Sequence, residues 1–394
     1  MKKLVVLSLV IVMLVLAACG GQSAKTAEPK PAEPTKAVEQ PTKAPEPTKA
    51  AAEPTQAPAE AATEYADTLN FYNWSEYIDP EIYDMFEKEY GIKVVESTFA
   101  SNEDLLAKLQ GGATGFDVIV PSDYMVATMI ELDMLAPIDH SKLENYKNLD
   151  PLFTDPPYDP GLKYSIPYMW GTTGIGYDGA VFGDEVPDSW SYLFDPEVAK
   201  NYADQYSLLN DSAEVFAAAL KYLGYSANST DPDEINAARD VILAIKPYVH
   251  TFDSEQFEDL LASGEIVMAH GWSGDVFTVM EDNEDIGYVI PKEGGVVWAD
   301  TLAIPKEVAS DPVRYNTALL WIDFLNRPDI AAKNVEYVYY ASPNAAATDL
   351  IPAEILEDPG IYPPQEVMDR MEWLKPLGDA QKLRDRAWTE IKSQ

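Results

Sequence analysis

Short apolar runs alternate with amphipathic stretches from Tyr65 to the C-terminus. Thr68-Leu-Asn-Phe-Tyr-Asn-Trp74 reads as a strand. Asp79-Pro80 follows as a helix start and Gly91 as its stop. Residues 92–97 read as a second strand. Ser101-Asn-Glu-Asp104 has the spacing of a capping box before Leu105-Leu-Ala-Lys-Leu-Gln110, and Gly111-Gly112 closes that helix. Phe116-Asp-Val-Ile-Val120 is an apolar strand that stops at Pro121-Ser122. Further helices are predicted over 213–223, 232–246, 312–325 and 328–337. Asp231-Pro232 and Asp311-Pro312 start two of them, and Gly224 stops another. Strands alternating with helices define an α/β chain with a parallel-rich sheet. In such folds ligand-facing residues sit where strands end.

Upstream of Tyr65 the pattern changes. Lys2 and Lys3 precede an apolar run over 4–16, followed by Leu16-Ala-Ala-Cys19-Gly20. The run is short for a bilayer span, which takes about 20 residues. Residues 1–18 therefore read as a signal peptide, and Cys19 sits where bacterial lipoproteins carry their lipidated cysteine. Cys19 is also the one cysteine of the 394 residues, so no intramolecular disulfide forms. Residues 19–64 repeat Glu-Pro-Thr-Lys-Ala and near variants of it. Poor in large apolar side chains, this tract cannot bury a core, and its prolines favour extended, semi-rigid stretches. At about 3.1 Å per residue, such a tether reaches on the order of 100 Å.

The formal charge of −38 disfavours nucleic-acid binding and attracts cations at long range. The three histidines, His140, His250 and His270, stand in no metal-ligand spacing and no recognisable triad. Gly174-Ile-Gly176-Tyr-Asp-Gly179 matches a dinucleotide fingerprint on paper, but no clear helical pattern follows it. Acid pairs could hydrolyse glycosides. Carboxylates interleaved with tryptophan equally describe an amine cage.

The unusual residues fall at strand ends. Trp272 with Asp275, and Trp298 with Asp300, close two apolar runs, their tryptophans 26 positions apart. An indole face offers a negative quadrupole and an apolar wall, and a carboxylate offers charge-assisted hydrogen bonds, so the pair suits an organic cation. Trp74, Ser75 and Tyr77 follow the first strand; Ser122, Asp123 and Tyr124 follow the run at 116–120. Asp211 and Glu214 open a helix, and Tyr340 lies near the end. Singly, each has a structural reading: helix-start acids, a core indole, a sheet aromatic. Their recurrence at successive strand ends favours a common pocket.

In order along the chain come Tyr72-Asn-Trp-Ser-Glu-Tyr77, Phe116-Asp-Val-Ile-Val-Pro-Ser122 and Tyr164-Ser-Ile-Pro-Tyr-Met-Trp-Gly-Thr-Thr-Gly-Ile-Gly-Tyr177. After Glu214-Val-Phe216 come Gly271-Trp-Ser-Gly-Asp275, Ile290-Pro-Lys-Glu-Gly294, Asn326-Arg-Pro-Asp329, Pro359-Gly-Ile-Tyr-Pro-Pro364 and Arg386-Ala-Trp388. Together these segments resemble the polyamine-binding proteins of bacterial ABC importers, the spermidine/putrescine family. The resemblance runs from about Leu69 to the C-terminus. It implies an α/β, type II periplasmic-binding-protein fold: two α/β lobes joined by crossover strands, with a ligand cleft between them. The implied lobes are 65–171 with 299–347, and 172–298 with 348–394. Crossings are implied near 170–173, 298–301 and 345–348, which makes the glycine run a hinge-adjacent strand.

Carried over by position, the implied ligand residues are Trp74, Ser75, Tyr77, Ser122, Asp123, Tyr124, Asp211, Glu214, Trp272, Asp275, Trp298, Asp300 and Tyr340. The implied partners are a small polyamine, the permease subunits of an ABC transporter, and a membrane held through lipidated Cys19. No enzyme activity, cofactor, metal or nucleic acid is implied, and the protein is expected as an extracytoplasmic, lipid-anchored monomer. Ser75 and Asp275 resemble the putrescine-preferring branch; Tyr124 and Asp211 resemble the spermidine-preferring one. Leu374 stands where spermidine binders tend to carry an amide. The alternatives are a two-lobed receptor for a quaternary amine and, more remotely, an acid-pair hydrolase. Hydrogen-bonding acids beside aromatics favour primary or secondary amines over quaternary ones.

Overall fold

Short polar side chains open the helices where the sequence pattern places them. Ser101 Oγ accepts from Asp104 N at 3.1 Å and starts the helix Asn102–Gln110. Asp79 Oδ1 accepts from Glu81 N at 2.8 Å at the head of Glu81–Tyr90, and Gly91 ends that helix at φ 71°. Asp231 and Asp311 cap Pro232–Ile245 and Pro312–Leu325, each followed by proline in the first turn. Pro328–Val338 and Ser212–Tyr222 complete the helices expected from sequence. The computed structural model describes residues 64–393. The predicted signal peptide, Cys19 and most of the tether lie outside these residues.

Among the described residues ten strands pair into one sheet, eight of them in a continuous path. They are β1 (Thr68–Trp74), β2 (Lys93–Phe99), β3 (Val118–Ile119), β4 (Ser165–Asp178) and β5 (Tyr206–Leu208), then β6 (Thr251–Phe252), β7 (Met268–Trp272), β8 (Ile286–Val289), β9 (Val296–Ala303) and β10 (Glu372–Trp373). Their order is β2-β1-β3-β9-β4-β7-β5-β6, with β8 on β4 and β10 on β9. The outer groups, β2-β1-β3 and β7-β5-β6, are parallel; the central pair β4 and β9 is antiparallel. A register shift between Pro167 and Met169 lets β4 carry a proline, which has no N–H for the ladder.

The two central strands change partners midway. Residues 165–172 of β4 pair with β9, while 173–177 pair with β7 and 175–178 with β8. On β9, Val296 and Val297 pair with β10, whereas Asp300 bridges Ser122 and Ala303 pairs with Ile119. The glycine run is thus part of a strand. A Cβ on Gly174 would lie 2.5 Å from the Val289 carbonyl oxygen and 2.7 Å from Tyr288 Oη. Tyr288 Oη in turn donates to the Thr172 carbonyl at 3.0 Å, so β8 lies close against the crossing. Gly179 opens only the short helix Gly179–Phe182.

Two buried clusters sit to either side. One gathers Phe71, Phe86, Trp321 and Phe324, with ring centroids 4.8 Å apart for Phe86 and Trp321. The other gathers Ile175, Trp190, Phe194, Tyr206, Phe216 and Phe257. The stretch after 345 is divided between them. Ile351, Ile355 and Ile361 bury with the first cluster, and Ala387 and Ile391 of the C-terminal helix bury with the second. Apolar side chains along 351–361 therefore keep the chain on the first cluster beyond 345–348.

The Gly174→Ala substitution is expected to destabilise the protein by about 2 kcal/mol or more, because backbone as well as side-chain atoms must move. Denaturant unfolding measures it. A stability equal to wild type would show that β8 does not press on this strand.

Candidate functional site

Strand ends and helix starts bring acids and aromatic rings to the place where β4 and β9 cross. β1 ends at Trp74, whose Nε1 donates to the Val120 carbonyl at 2.9 Å. The chain then turns through Ser75 and Glu76, the latter at φ 53°, and Tyr77 follows. Beyond β3, Ser122 heads the helix Asp123–Glu131, which carries Tyr124. β5 leads to Asp211 and Glu214, and β7 leads to Trp272 and Asp275. Trp298 and Asp300 lie within β9. Ala341 exchanges backbone hydrogen bonds with Trp170 on β4, at 2.9 and 3.0 Å, and this fixes Tyr340 beside the crossing. Gly171 gives room there: a Cβ would lie 2.8 Å from the Tyr340 ring and 2.9 Å from that of Trp298.

All of the implied ligand residues except Asp123 line one cavity. Its volume is about 40 Å³, a narrow slot rather than an open chamber. Trp74 meets Trp272 edge-on at 5.6 Å, and Tyr340 meets Tyr77 at 5.1 Å and Trp298 at 5.2 Å. These rings form the walls.

Four acids inside are held or stranded in different ways. Asp300, 4% exposed, accepts from Ser122 Oγ at 2.5 Å. Asn102 orients that serine, donating to its Oγ at 2.9 Å and accepting from its backbone N–H at 3.0 Å. Asp275 accepts from Tyr340 Oη at 2.7 Å. Asp211 caps Ser212–Tyr222 through Ala213 N at 2.8 Å and Glu214 N at 3.1 Å. Glu214, 6% exposed, has a buried Oε2 with no hydrogen-bond partner.

Burial raises the pKa of every one of them. Asp300 is pushed up to about 7, with the Ser122 hydroxyl and the Tyr77 phenol opposing the rise. Tyr77 Oη lies close enough to act on Asp300 but is buried without a partner at hydrogen-bonding geometry. Asp275 is raised by burial against the pull of Tyr340, and Glu214 by burial and the neighbouring Asp211. Among the described residues no Lys, Arg or His lines the cavity. Arg384 acts on Asp211 from outside it, with its Nη2 3.4 Å from Glu103 Oε1, yet burial still raises Asp211.

Asp123 does not line the cavity: its carboxylate folds back to accept from Tyr124 N at 2.6 Å, buried behind the wall beside Ala299 and Asp300. A short acid at the first helical position satisfies an exposed backbone donor more cheaply than it reaches a ligand. His270 also stays out: fully buried against Trp190, it is pushed down to about 3 by burial and is neutral.

Several lining residues escaped the sequence reading: Glu76, Phe99, Ala100, Asn102, Ser254, Glu255 and Glu258. Ser254 to Glu258 follow β6, a strand of two residues with too little pattern to announce itself. Glu76 lay inside a quoted motif. Asn102 was visible only as part of a helix start.

A split, parallel-flanked sheet joined by antiparallel crossing strands, with a slot lined from both sides, defines an α/β ligand-binding protein of the two-lobed substrate-binding type. Residues 81–363 match the family described as bacterial extracellular solute-binding protein. The spermidine/putrescine-binding periplasmic protein of Salmonella typhimurium is 39% identical over 83% of this chain and 92% of its own length. The putrescine-binding periplasmic protein PotF of Escherichia coli is 41% identical over 83% and 91%. The solved Tp0655 (TpPotD) lipoprotein of Treponema pallidum superposes with a TM-score of 0.71 at 28% identity, covering 83% of this chain and all of that one. The chain belongs to the bacterial extracellular solute-binding proteins, and within them to the spermidine/putrescine-binding family.

Raised carboxylate pKa values mean that the native state holds protons the unfolded chain releases. The ligand-free protein therefore loses stability as pH rises from about 4, the unfolded value, through the folded value of Asp300 near 7. Melting temperatures at about pH 5 and about pH 8 are expected to fall in that order, with Asp300→Asn shrinking the fall. The same fall in both proteins would remove Asp300 from the account.

Proposed function

We propose that this protein captures a polyamine, putrescine or spermidine, outside the cytoplasm and delivers it to the permease of an ABC importer. The observation that supports this most directly is the uncompensated acidity of the slot. Carboxylates at Asp211, Glu214, Asp275 and Asp300 are enclosed by indole and phenol rings with no basic side chain among them. Buried charge is stable only when paired, and a flexible chain with protonated amines at intervals supplies the missing partners. Rings on both sides suit the methylenes between them. Each charge-assisted hydrogen bond contributes roughly 1.5–3 kcal/mol and each desolvated cation–π contact on the order of 1–2 kcal/mol, before ordering costs are subtracted. Relatives carry names of the same kind, spermidine/putrescine-binding and putrescine-binding.

In this reading catalysis has no part. Two lobes, the first 65–171 with 299–347 and the 351–361 segment packed on it, the second 172–298 with the C-terminal helix, close around the ligand, and the closed form is what the permease reads. Asp300 on the crossing strand and Glu214 beyond it reach the ligand from different elements, so binding favours closure. Cys19 is lipidated after cleavage of residues 1–18, and the proline-rich tether sets the monomer above the membrane surface. The relative from Treponema pallidum is itself described as a lipoprotein.

Three measurements test this. Mass spectrometry of ligand released by denaturing the purified protein is expected to find a diamine or triamine; calorimetry showing tight choline binding and no polyamine signal would overturn the reading. Asp300→Asn and Asp275→Asn are each expected to weaken polyamine binding at least about tenfold, the loss of roughly 1.4 kcal/mol, with the fold intact. Unchanged affinity in both removes them from the site. Stopped-flow capture rates are expected to fall as ionic strength rises, since a chain of charge −38 steers cations from a distance; a flat rate removes the acidic surface from the mechanism.

A further inference from the structure

Glu258 is an acid of the slot that neither the sequence motifs nor the implied ligand set included. It lies on the short helix Phe257–Ala262, next to a ring contact between Phe257 and Trp272 at 6.3 Å. Trp272 caps the helix Ser273–Asp282, whose first turn carries Asp275. Glu258 and Asp275 therefore share the wall made by Trp272, and both line the cavity. One carboxylate oxygen of Asp275 is taken by Tyr340 Oη. Glu258 Oε2 is shut off from solvent and has no hydrogen-bond partner. The charged groups that act on this pair are Glu76 at the rim, Asp259 on the same helix and Asp300, and all are acidic.

The pair also occupies a definite place along the slot. The charges acting most strongly on Glu258 are Asp275 and Glu76. Those acting on Glu214 are Asp211, Asp123 and Asp300. Glu258 thus belongs with Asp275 and Glu76, and Glu214 with Asp211, Asp123 and Asp300.

We propose that Glu258 is a specificity-determining residue, forming with Asp275 a seat that requires the ligand to carry a protonated amine at the end that Asp275 holds. This rests on the polyamine reading of the slot. An ammonium has three N–H donors and can bond both carboxylates at once. A ligand with a neutral amide at that end leaves two enclosed carboxylates unpaired, and sites built for a charged hydrogen-bonding group reject analogues that lack it. Burial raises both pKa values, with Asp275 adding to the rise at Glu258 and Glu76 and Asp300 adding to that at Asp275, so the empty pair retains a proton that the arriving ammonium expels.

The test is calorimetry on wild type and Glu258→Gln with putrescine, spermidine and their mono-acetylated forms, at neutral pH in phosphate and in Tris buffer. Wild type is expected to favour the free polyamines over the acetylated ones, with proton release on binding. Glu258→Gln is expected to lose at least about tenfold in affinity for the free polyamines and less than about threefold for the acetylated ones, to release fewer protons, and to melt no lower than wild type without ligand. An unchanged preference and proton count with polyamine binding intact overturns the proposal and leaves the polyamine reading standing. Equal loss for free and acetylated ligands, or a lowered melting temperature, gives Glu258 a structural role and also overturns it. Failure of wild type to bind any of the four overturns both.

Discussion

Negative charge enclosed without a counter-charge is the constraint from which the rest of this molecule follows. Asp211, Glu214, Asp275 and Asp300 converge on a slot with aromatic walls, and among the described residues no cationic side chain lines it. Left in that state, the carboxylates repel one another and lack hydration, which is why their pKa values rise. The protein carries this cost in the rest of its fold: two apolar clusters and a continuous sheet hold the acids in place. Internal pairing would relieve the repulsion and leave nothing for a ligand to gain. Arg384 illustrates the point. It sits behind Asp211 and reaches Glu103 and Gln381, near enough to temper the charge without lining the slot.

The sheet explains how acids from distant parts of the sequence meet. β4 and β9 run antiparallel through the centre, and each exchanges one set of neighbours for another midway. Trp298, Asp300 and the backbone anchor of Tyr340 lie at that exchange. They belong to the region that must bend if the two sides move, yet they also contact the ligand in the proposed reading. Residues arriving from the strand ends on either side then complete the walls. A ligand touching all of them has its binding energy tied to the relative position of the two sides, which is the requirement for closure driven by binding.

Much of this was legible in sequence because strong local rules coincide with function. Asx and serine caps, proline in the first turn and a terminal glycine placed six helices to within a residue or two, while Asp123–Glu131, Ser273–Asp282 and Gln381–Ser393 went unread. The rule that ligands meet strand ends gathered Trp74, Ser122, Glu214 and Trp272, whereas Trp298 and Asp300 lie inside β9 rather than at its end. It failed where the strand itself was too short to carry a period. β6 has two residues, so Ser254, Glu255 and Glu258 had no visible strand end to follow. It overreached at Asp123, where the strand-end rule and helix capping make competing claims on one carboxylate, and the adjacent backbone N–H won. The path after residue 345 was also obscure, since apolar residues such as Ile351 and Ile355 could serve either cluster and only packing decides.

Asp211 shows why capping and ligand binding need not compete everywhere. Its Oδ1 accepts from two backbone N–H groups at the start of Ser212–Tyr222, and the same residue lines the slot. The helix N-terminus contributes positive potential to Asp211 and to Glu214 in its first turn. That potential favours the ionised form, against burial and against Glu214's own repulsion from Asp211. A carboxylate kept closer to ionisation by backbone dipoles remains available to an ammonium, whereas a neighbouring lysine would have occupied the same oxygens. The fold thus tempers its acids with N–H groups and hydroxyls, which hold charge in position without neutralising it, and reserves full neutralisation for the cation that arrives from solution.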